Sequence, residues 1–342
     1  MKKLLLIFAL LPLAGKSTEL PEEAELKAPP RIIRTCCAFG DELKMTGIPF
    51  KKYSDLSSVE LLGPHKYLGD SREKNGIIYT LRGGFIDIGH LRDQADWTAY
   101  LYSLIRKNRG QDLVTELGHE GGNKILRMST PAEFSDEESM ELAAKIAYNL
   151  SIWHEIATFY GASSVPLVPE RYSAFSMEDA YSNMLGAQLG LAALQSDQPY
   201  EEAMTILLSE KLKELGAVST MDETKAAMDM VKDDWWTDAY RLPSKNVLLK
   251  REFDVEHCLV PWLVESYSLQ KPAPVINCLK SEDHKGIPYD DYFELSIKLN
   301  YKFPLRKLFP KPESRVITQK DFKVLINNAM QKSSEQKPTK AI

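Results

Sequence analysis

The sequence has no basic tract. Its 43 lysines and arginines are scattered among 48 acidic residues, for a net charge of −5. No aromatic residues are interleaved with basic clusters. Nucleic acid is held by a concentrated positive face, so no nucleic-acid partner is expected. Long apolar runs are missing too. The stretch Leu4–Ala14 is about half of the roughly 20 residues that a membrane span needs. Cysteine is scarce, with four in 342 residues, and no internal repeat is visible. The zinc-peptidase motif H-E-x-x-H is absent as well, although its first half is present.

What is there begins with "MKKLLLIFALLPLAGKS". Lys2 and Lys3 form a positive lead to a short apolar run, which is the pattern of an export signal over residues 1–17. No stable transmembrane segment is expected after its removal. The expected location is the periplasm or the outside of the cell. Cys36, Cys37, Cys258 and Cys278 form an even set that suits an oxidising compartment. Three pairings are open to them. Vicinal Cys36 and Cys37 are poor partners for each other, so one or two bridges from the N-terminal segment to the 258–278 region are expected.

Residues 18–31 are charged and proline-containing and read as a flexible lead. "GIIYTLRGGFIDIG" is β-branched, with Gly83-Gly84 as a break. Trp97, Leu101 and Leu104 then recur at helical spacing. "DLVTELGHEGGNKILRMS" reads as a hairpin. Ser135 and Glu138 form a capping box that opens a long helix to Gly161. Ser176 is expected to cap the next helix, Asp197 a third, and Thr220 with Glu223 a fourth. "DDWWTDAYRLPSKNVLLKREFDV" and "IPYDDYFELSIKLNYKF" alternate like strands. A final short helix over 318–330 leads to a tail, 329–342, expected to be disordered. The pattern predicts one α+β domain over 32–328, with a helical central core, short strands and hairpins.

The chemistry centres on "LSIWHEIATFYG", residues 150–161. One stripe of the long helix is Leu142, Ile146, Leu150, Trp153, Ala157 and Tyr160. Its second half is apolar nearly all round and should be buried. A buried Glu155 then needs a partner, a proton or a metal. With the second histidine of the motif replaced by Thr158, a partner must come from elsewhere. His90, at the start of the helix after "GGFIDIG", is the candidate. Asp87, Arg92, Asp93 and Asp96 surround it in sequence, and His90 and Asp93 are expected to share a face. In "SMEDAYSNMLG", Asp179 reads as completing the Ser176 cap, whereas Glu178 is less well explained by capping. The resulting expectation is a zinc site with His90, His154 and Glu178 as ligands and Glu155 as the general base. His65, His119, His257 and His284 read as surface residues.

The blocks "RTCCAFG", "YTLRGGFIDIGHLRDQADWT", "WHEIATFYG", "FSMEDAYSNMLG" and "PWLV" carry a resemblance across residues 30–310. The sequence resembles an uncharacterised family of bacterial exported proteins, domain of unknown function 4056. The resemblance implies an exported bacterial protein with one domain and implies no activity. Three functions remain open on the residues. The first is a metal-dependent hydrolase acting on an envelope component or a peptide. The second is a non-catalytic envelope binding or scaffold protein. The third is a cysteine acyl-transfer enzyme with Cys36 or Cys37 as nucleophile and His90 as base.

Overall fold

A computed structural model describes residues 29–30, 34, 39–40, 56–163, 170–239, 246–256, 258–267, 272–309 and 314–335. The predicted export signal, Cys36, Cys37 and His257 lie outside these residues. So do most of the N-terminal lead and the last seven residues of the tail.

The Gly83-Gly84 break is a tight hairpin. It joins strand β1 (Ile77–Thr80) to strand β2 (Gly84–Asp87), which pair antiparallel. The Gly83 N–H donates to Thr80 Oγ1 at 2.9 Å, and that hydroxyl donates to Gly84 O at 3.0 Å. Gly84 has φ +65°, and a Cβ there would stand 2.2 Å from the Trp262 carbonyl oxygen, so no other residue fits. β2 runs directly into helix α1 (Ile88–Lys107), with Asp87 as the cap that accepts from the His90 N–H. That cap fixes His90 in the first turn of α1.

A second hairpin, strands β3 (Asp112–His119) and β4 (Gly122–Ser129), leads to helix α2 (Asp136–Phe159). The Ser135–Glu138 capping box is present as expected. Helices α3 (Asp179–Gln195), α4 (Tyr200–Glu214) and α5 (Met221–Met230) follow, and the Thr220–Glu223 box opens α5. α3 starts later than Ser176 predicts, because the Ser176 hydroxyl is taken by the Glu178 carboxylate and not by a backbone N–H. Pro199, with its φ preset near helical values, stands at the α4 N-terminus in place of Asp197.

Strands β5 (Trp236–Thr237), β6 (Val247–Leu248), β7 (Cys258–Leu259) and β8 (Asn277–Cys278) are short pairs. Among the described residues, β9 (Phe293–Leu299) is the longest strand of this region. It joins β3, β4 and β10 (Val316–Ile317) in an antiparallel sheet of order β10-β9-β4-β3. A single turn, α6 (Leu305–Leu308), precedes β10. The last helix, α7 (Phe322–Glu335), continues past residue 330, so 329–335 are helical and not part of a tail. Its Phe322 stacks on Trp153 of α2 at 5.8 Å.

The disulfide also differs from expectation. Cys258 pairs with Cys278 across β7 and β8, within the C-terminal region. The strand pair puts the two side by side, which removes both from any bridge to the N-terminal segment.

The core forms where α1, α2 and α3 pack on one another and on one face of the four-stranded sheet. α3 approaches α1 closely through Gly186 and Gly190. A Cβ on Gly186 would lie 2.1 Å from the Leu91 carbonyl oxygen, and one on Gly190 would lie 2.8 Å from Ala95 Cα. This contact brings the N-terminal turn of α3 to the start of α1. A smaller core around Phe39, Tyr79, Phe85, Trp235 and Trp236 covers the other side of the β1–β2 hairpin.

Candidate metal centre

His90 reaches its position through the Asp87 cap. Asp87 Oδ1 accepts from the His90 N–H at 3.0 Å, and its Oδ2 lies 3.1 Å from the His90 Nδ1. Asp179, the first residue of α3, brings Oδ1 to 3.3 Å from the same ring nitrogen. The capping role that the sequence suggests for Asp179 is therefore not its role here. It is drawn to His90 because the glycine-mediated contact sets the two helix starts side by side.

His154 is held in the same manner. Glu120, in the turn between β3 and β4, places Oε1 2.6 Å from the His154 Nδ1. The Glu120 backbone carbonyl accepts from Trp153 Nε1 at 2.8 Å, and its carboxylate accepts from Lys124 Nζ at 2.8 Å. Burial works against the Glu120 charge, but Lys124 and His154 outweigh it and hold the carboxyl well below the usual carboxylate range.

The two imidazoles face each other, with ring centroids 5.9 Å apart. One ligand atom from each of His90, His154 and Glu155 lies within 4.8 Å of the other two. All three residues are buried. Glu155 Oε2 accepts from the Phe175 N–H at 2.6 Å. Its Oε1 has no hydrogen-bond partner among the described residues. Phe175 sits at φ +58°, a left-handed conformation that is unusual for a bulky residue. Burial pulls the nearby Arg251 guanidinium down to about 10, with the charge of Glu155 opposing it.

Glu178, expected as the third ligand, lies outside the His90–His154–Glu155 group, though close enough to Asp87 and His90 to feel their charges. It accepts from the Ser176 hydroxyl. Burial pushes its carboxyl up to about 8, the Asp87 charge adds to the rise, and Ser176 and His90 pull against it. Glu155, expected apart from the ligands as a base, is one of the three residues of that group.

Asp93 and Asp96 are engaged by Arg34. Both accept from Arg34 Nη1, at 2.8 and 2.9 Å, and Asp96 Oδ1 lies 3.0 Å from His65 Nε2. His65 is thus buried in an ion-pair cluster and not at the surface. Arg92 donates to the carbonyls of Glu73 and Gly63. His119 is exposed, as expected. His284 is exposed and pairs with Glu138 beside Asp283. There Glu138 already serves the α2 capping box, and Asp283 accepts from Tyr292 and two backbone N–H groups.

Glu120 is the site residue that the sequence reading misses. It stands 34 residues before His154 in a glycine-rich turn, and no local spacing ties the two together.

A protein family described as a protein of unknown function, DUF4056, matches residues 24–265. The chain belongs to this family. The DUF4056 match includes every residue of the His90–His154–Glu155 group and its carboxylate supports, and ends before Cys278. No curated protein and no solved structure matches the chain.

Proposed function

We propose that this DUF4056 protein is a metal-dependent hydrolase whose zinc ion is held by His90, His154 and Glu155. The observation that carries the reading is the carboxylate behind each imidazole. Metal-bound histidines characteristically give their second ring nitrogen to a carboxylate, which fixes the tautomer and raises the basicity of the ligating nitrogen. With Nδ1 of His90 directed at Asp87 and Asp179, and Nδ1 of His154 at Glu120, an ion would be bound through both Nε2 atoms. Glu155 would add Oε1, since Oε2 is held by Phe175. Ligand atoms on a tetrahedral zinc stand about 3.3 Å apart for bonds of about 2.0–2.1 Å. Side-chain rotation closes the remaining distance.

Charge supports the same reading. Asp87, Glu120, Glu155 and Asp179 are met by Lys124 at Glu120 and by Arg251 near Glu155. Two negative charges are then balanced by two imidazolium protons or by one divalent ion with neutral imidazoles. Three protein ligands would leave a position open for water, and the ion would supply Lewis acidity to activate that water for hydrolysis.

A cavity of about 210 Å³, lined by Tyr148, Asn149, Ile152, Met184 and Val255, lies along α2 within a turn or two of Glu155 in sequence. It offers a place for substrate. Among the described residues no helix is long and apolar enough to cross a membrane. The disulfide and the N-terminal sequence favour action outside the cytoplasm, on an envelope component or a peptide.

The test is chelator-reversible hydrolysis. Purified protein is assayed on peptide and ester substrates, stripped with chelator, and reloaded with zinc. Activity that disappears and returns supports the proposal. Activity indifferent to the chelator, or absent from zinc-loaded protein, counts against it.

A further inference from the structure

We infer that Arg251 is a positioning residue of this centre: it holds the Ala174–Phe175 peptide so that Glu155 keeps Oε2 occupied and leaves only Oε1 for a metal. The inference deepens the zinc reading, and its affinity readout rests on that reading. The contacts that carry it stand without an ion.

A single peptide group lies between the cation and the carboxylate. Its carbonyl, on Ala174, accepts from Arg251 Nη1. Its N–H, on Phe175, donates to Glu155 Oε2 at 2.6 Å. A guanidinium at the carbonyl end of an amide and a carboxylate at its N–H end polarise it in the same sense, so each bond strengthens the other. Arg251 Nη2 also reaches the carbonyls of Arg171 and Tyr172, at 3.3 and 3.4 Å. The neighbouring Glu252 N–H donates to Phe175 O at 2.8 Å. Residues 251 and 252 therefore grip the carbonyls on both sides of the Phe175 Cα.

That grip explains the backbone. A bulky residue keeps a left-handed conformation such as φ +58° only where its surroundings over-determine it. Here both polar groups of Phe175 are bonded, and its ring packs on Phe159 and Phe253 with centroids at 6.1 and 4.9 Å. A change of φ would turn either the N–H out of line with Glu155 or the carbonyl out of line with Glu252. Arg251 itself has no carboxylate at ion-pair distance among the described residues, and its hydrogen bonds go to main-chain carbonyls. Glu155, one peptide group away, is the anion whose charge it feels. The consequence for the site lies in the second oxygen. A freed Oε2 would let Glu155 bind through both oxygens and fill the position left for water.

The test begins on metal-free protein labelled with ¹⁵N-phenylalanine, the Phe175 resonance being assigned by its absence from Phe175→Tyr. In the wild type this amide proton should lie downfield of the other phenylalanine amides, and Glu155→Gln should move it upfield. Arg251→Lys keeps the charge and loses the fork of donors. Arg251→Gln keeps one donor group and loses the charge. Both should move the resonance upfield, so the measurement survives if one variant does not fold. Zinc affinity is then compared between wild type and Arg251→Lys. It should fall about 10–100-fold, the loss typical of an outer-shell partner, and with the charge kept the loss reports position. Cobalt-substituted Arg251→Lys should also lose visible absorption, because a two-oxygen Glu155 raises the coordination number above four. A Phe175 resonance among the ordinary amides, or unmoved in the Arg251 variants, overturns the positioning role whatever the metal content. So does a resonance that moves while zinc affinity and the cobalt spectrum stay as in the wild type. A wild type that takes up neither metal ends the zinc reading instead, and the Phe175 resonance still decides the role of Arg251.

Discussion

At the residue scale, the site separates atoms that would touch an ion from atoms that hold those atoms in place. Glu120 meets the His154 Nδ1 and Lys124 but would not itself ligate the ion, so Glu120→Gln should lower zinc affinity by about 10–100-fold without abolishing binding. Glu155→Gln removes a ligand charge and should weaken zinc more than that. A base that only activated water would keep the ion and lose activity. Measuring zinc affinity in the two variants side by side therefore decides which role Glu155 has. Protons compete with the ion for both imidazoles. Zinc affinity should accordingly fall as pH drops, because each ligating imidazole nitrogen must be free of its proton to bind the ion. A flat affinity between pH 5 and 8 would place the ion on other residues.

At the element scale, the α1–α3 contact positions the site, and it depends on two glycines. Gly186→Ala would drive a methyl into the Leu91 carbonyl. The cost should be about 1–3 kcal/mol or more, as for other overpacked positions. It should appear as a lower melting temperature together with weakened zinc binding, since Asp179 and His90 would separate. An unchanged melting temperature would contradict the close approach. The Cys258–Cys278 bridge closes a loop with a sequence separation of 20 residues. In the loop-entropy account, reduction should cost about 3 kcal/mol, read as a drop in thermal stability on adding reductant.

Most elements were legible in the sequence because their signals are local. The two capping boxes, the Gly-Gly turns and the apolar stripe of α2 are each written within a few consecutive residues. The failures share one cause. Ser176 was read as a cap from its neighbours alone, but a buried carboxylate claims its hydroxyl. Asp93 feels the His90 charge, as their shared face implies, but its Arg34 partner comes from outside the helix and is not written near it. His90 with His154 could be paired on the chemistry of a buried Glu155. Glu120 and Asp179 could not, because their roles arise only from tertiary contacts.

At the scale of the whole molecule, the Arg34 cluster ties the chain before β1 to α1. Arg34 binds Glu73, Asp93 and Asp96, and Asp96 also meets His65 and Tyr200. Burial pushes Asp93 up to about 7; Asp96 adds to the rise and Arg34 opposes it. A carboxyl with a raised folded pKa binds more protons folded than unfolded, so its contribution is fully present below about pH 4 and is lost as pH rises through about 7. Glu73 and Asp96 are lowered, and their contributions are lost only in acid, outside this window. The melting temperature of metal-free protein should therefore fall between pH 5 and pH 8, and Asp93→Asn should reduce that fall. An equal fall in both would remove Asp93 as its source.

The buried groups of three helix segments and one hairpin turn converge on one place, and the account stands on an ion being held there. Zinc content per chain, measured by mass spectrometry on purified wild type and His154→Ala after equilibration with micromolar zinc, tests this most directly. The account predicts one zinc ion at the His90–His154–Glu155 position in the wild type, and its loss from His154→Ala while the helical circular dichroism is kept. Wild-type protein that carries no zinc and takes none up would contradict it.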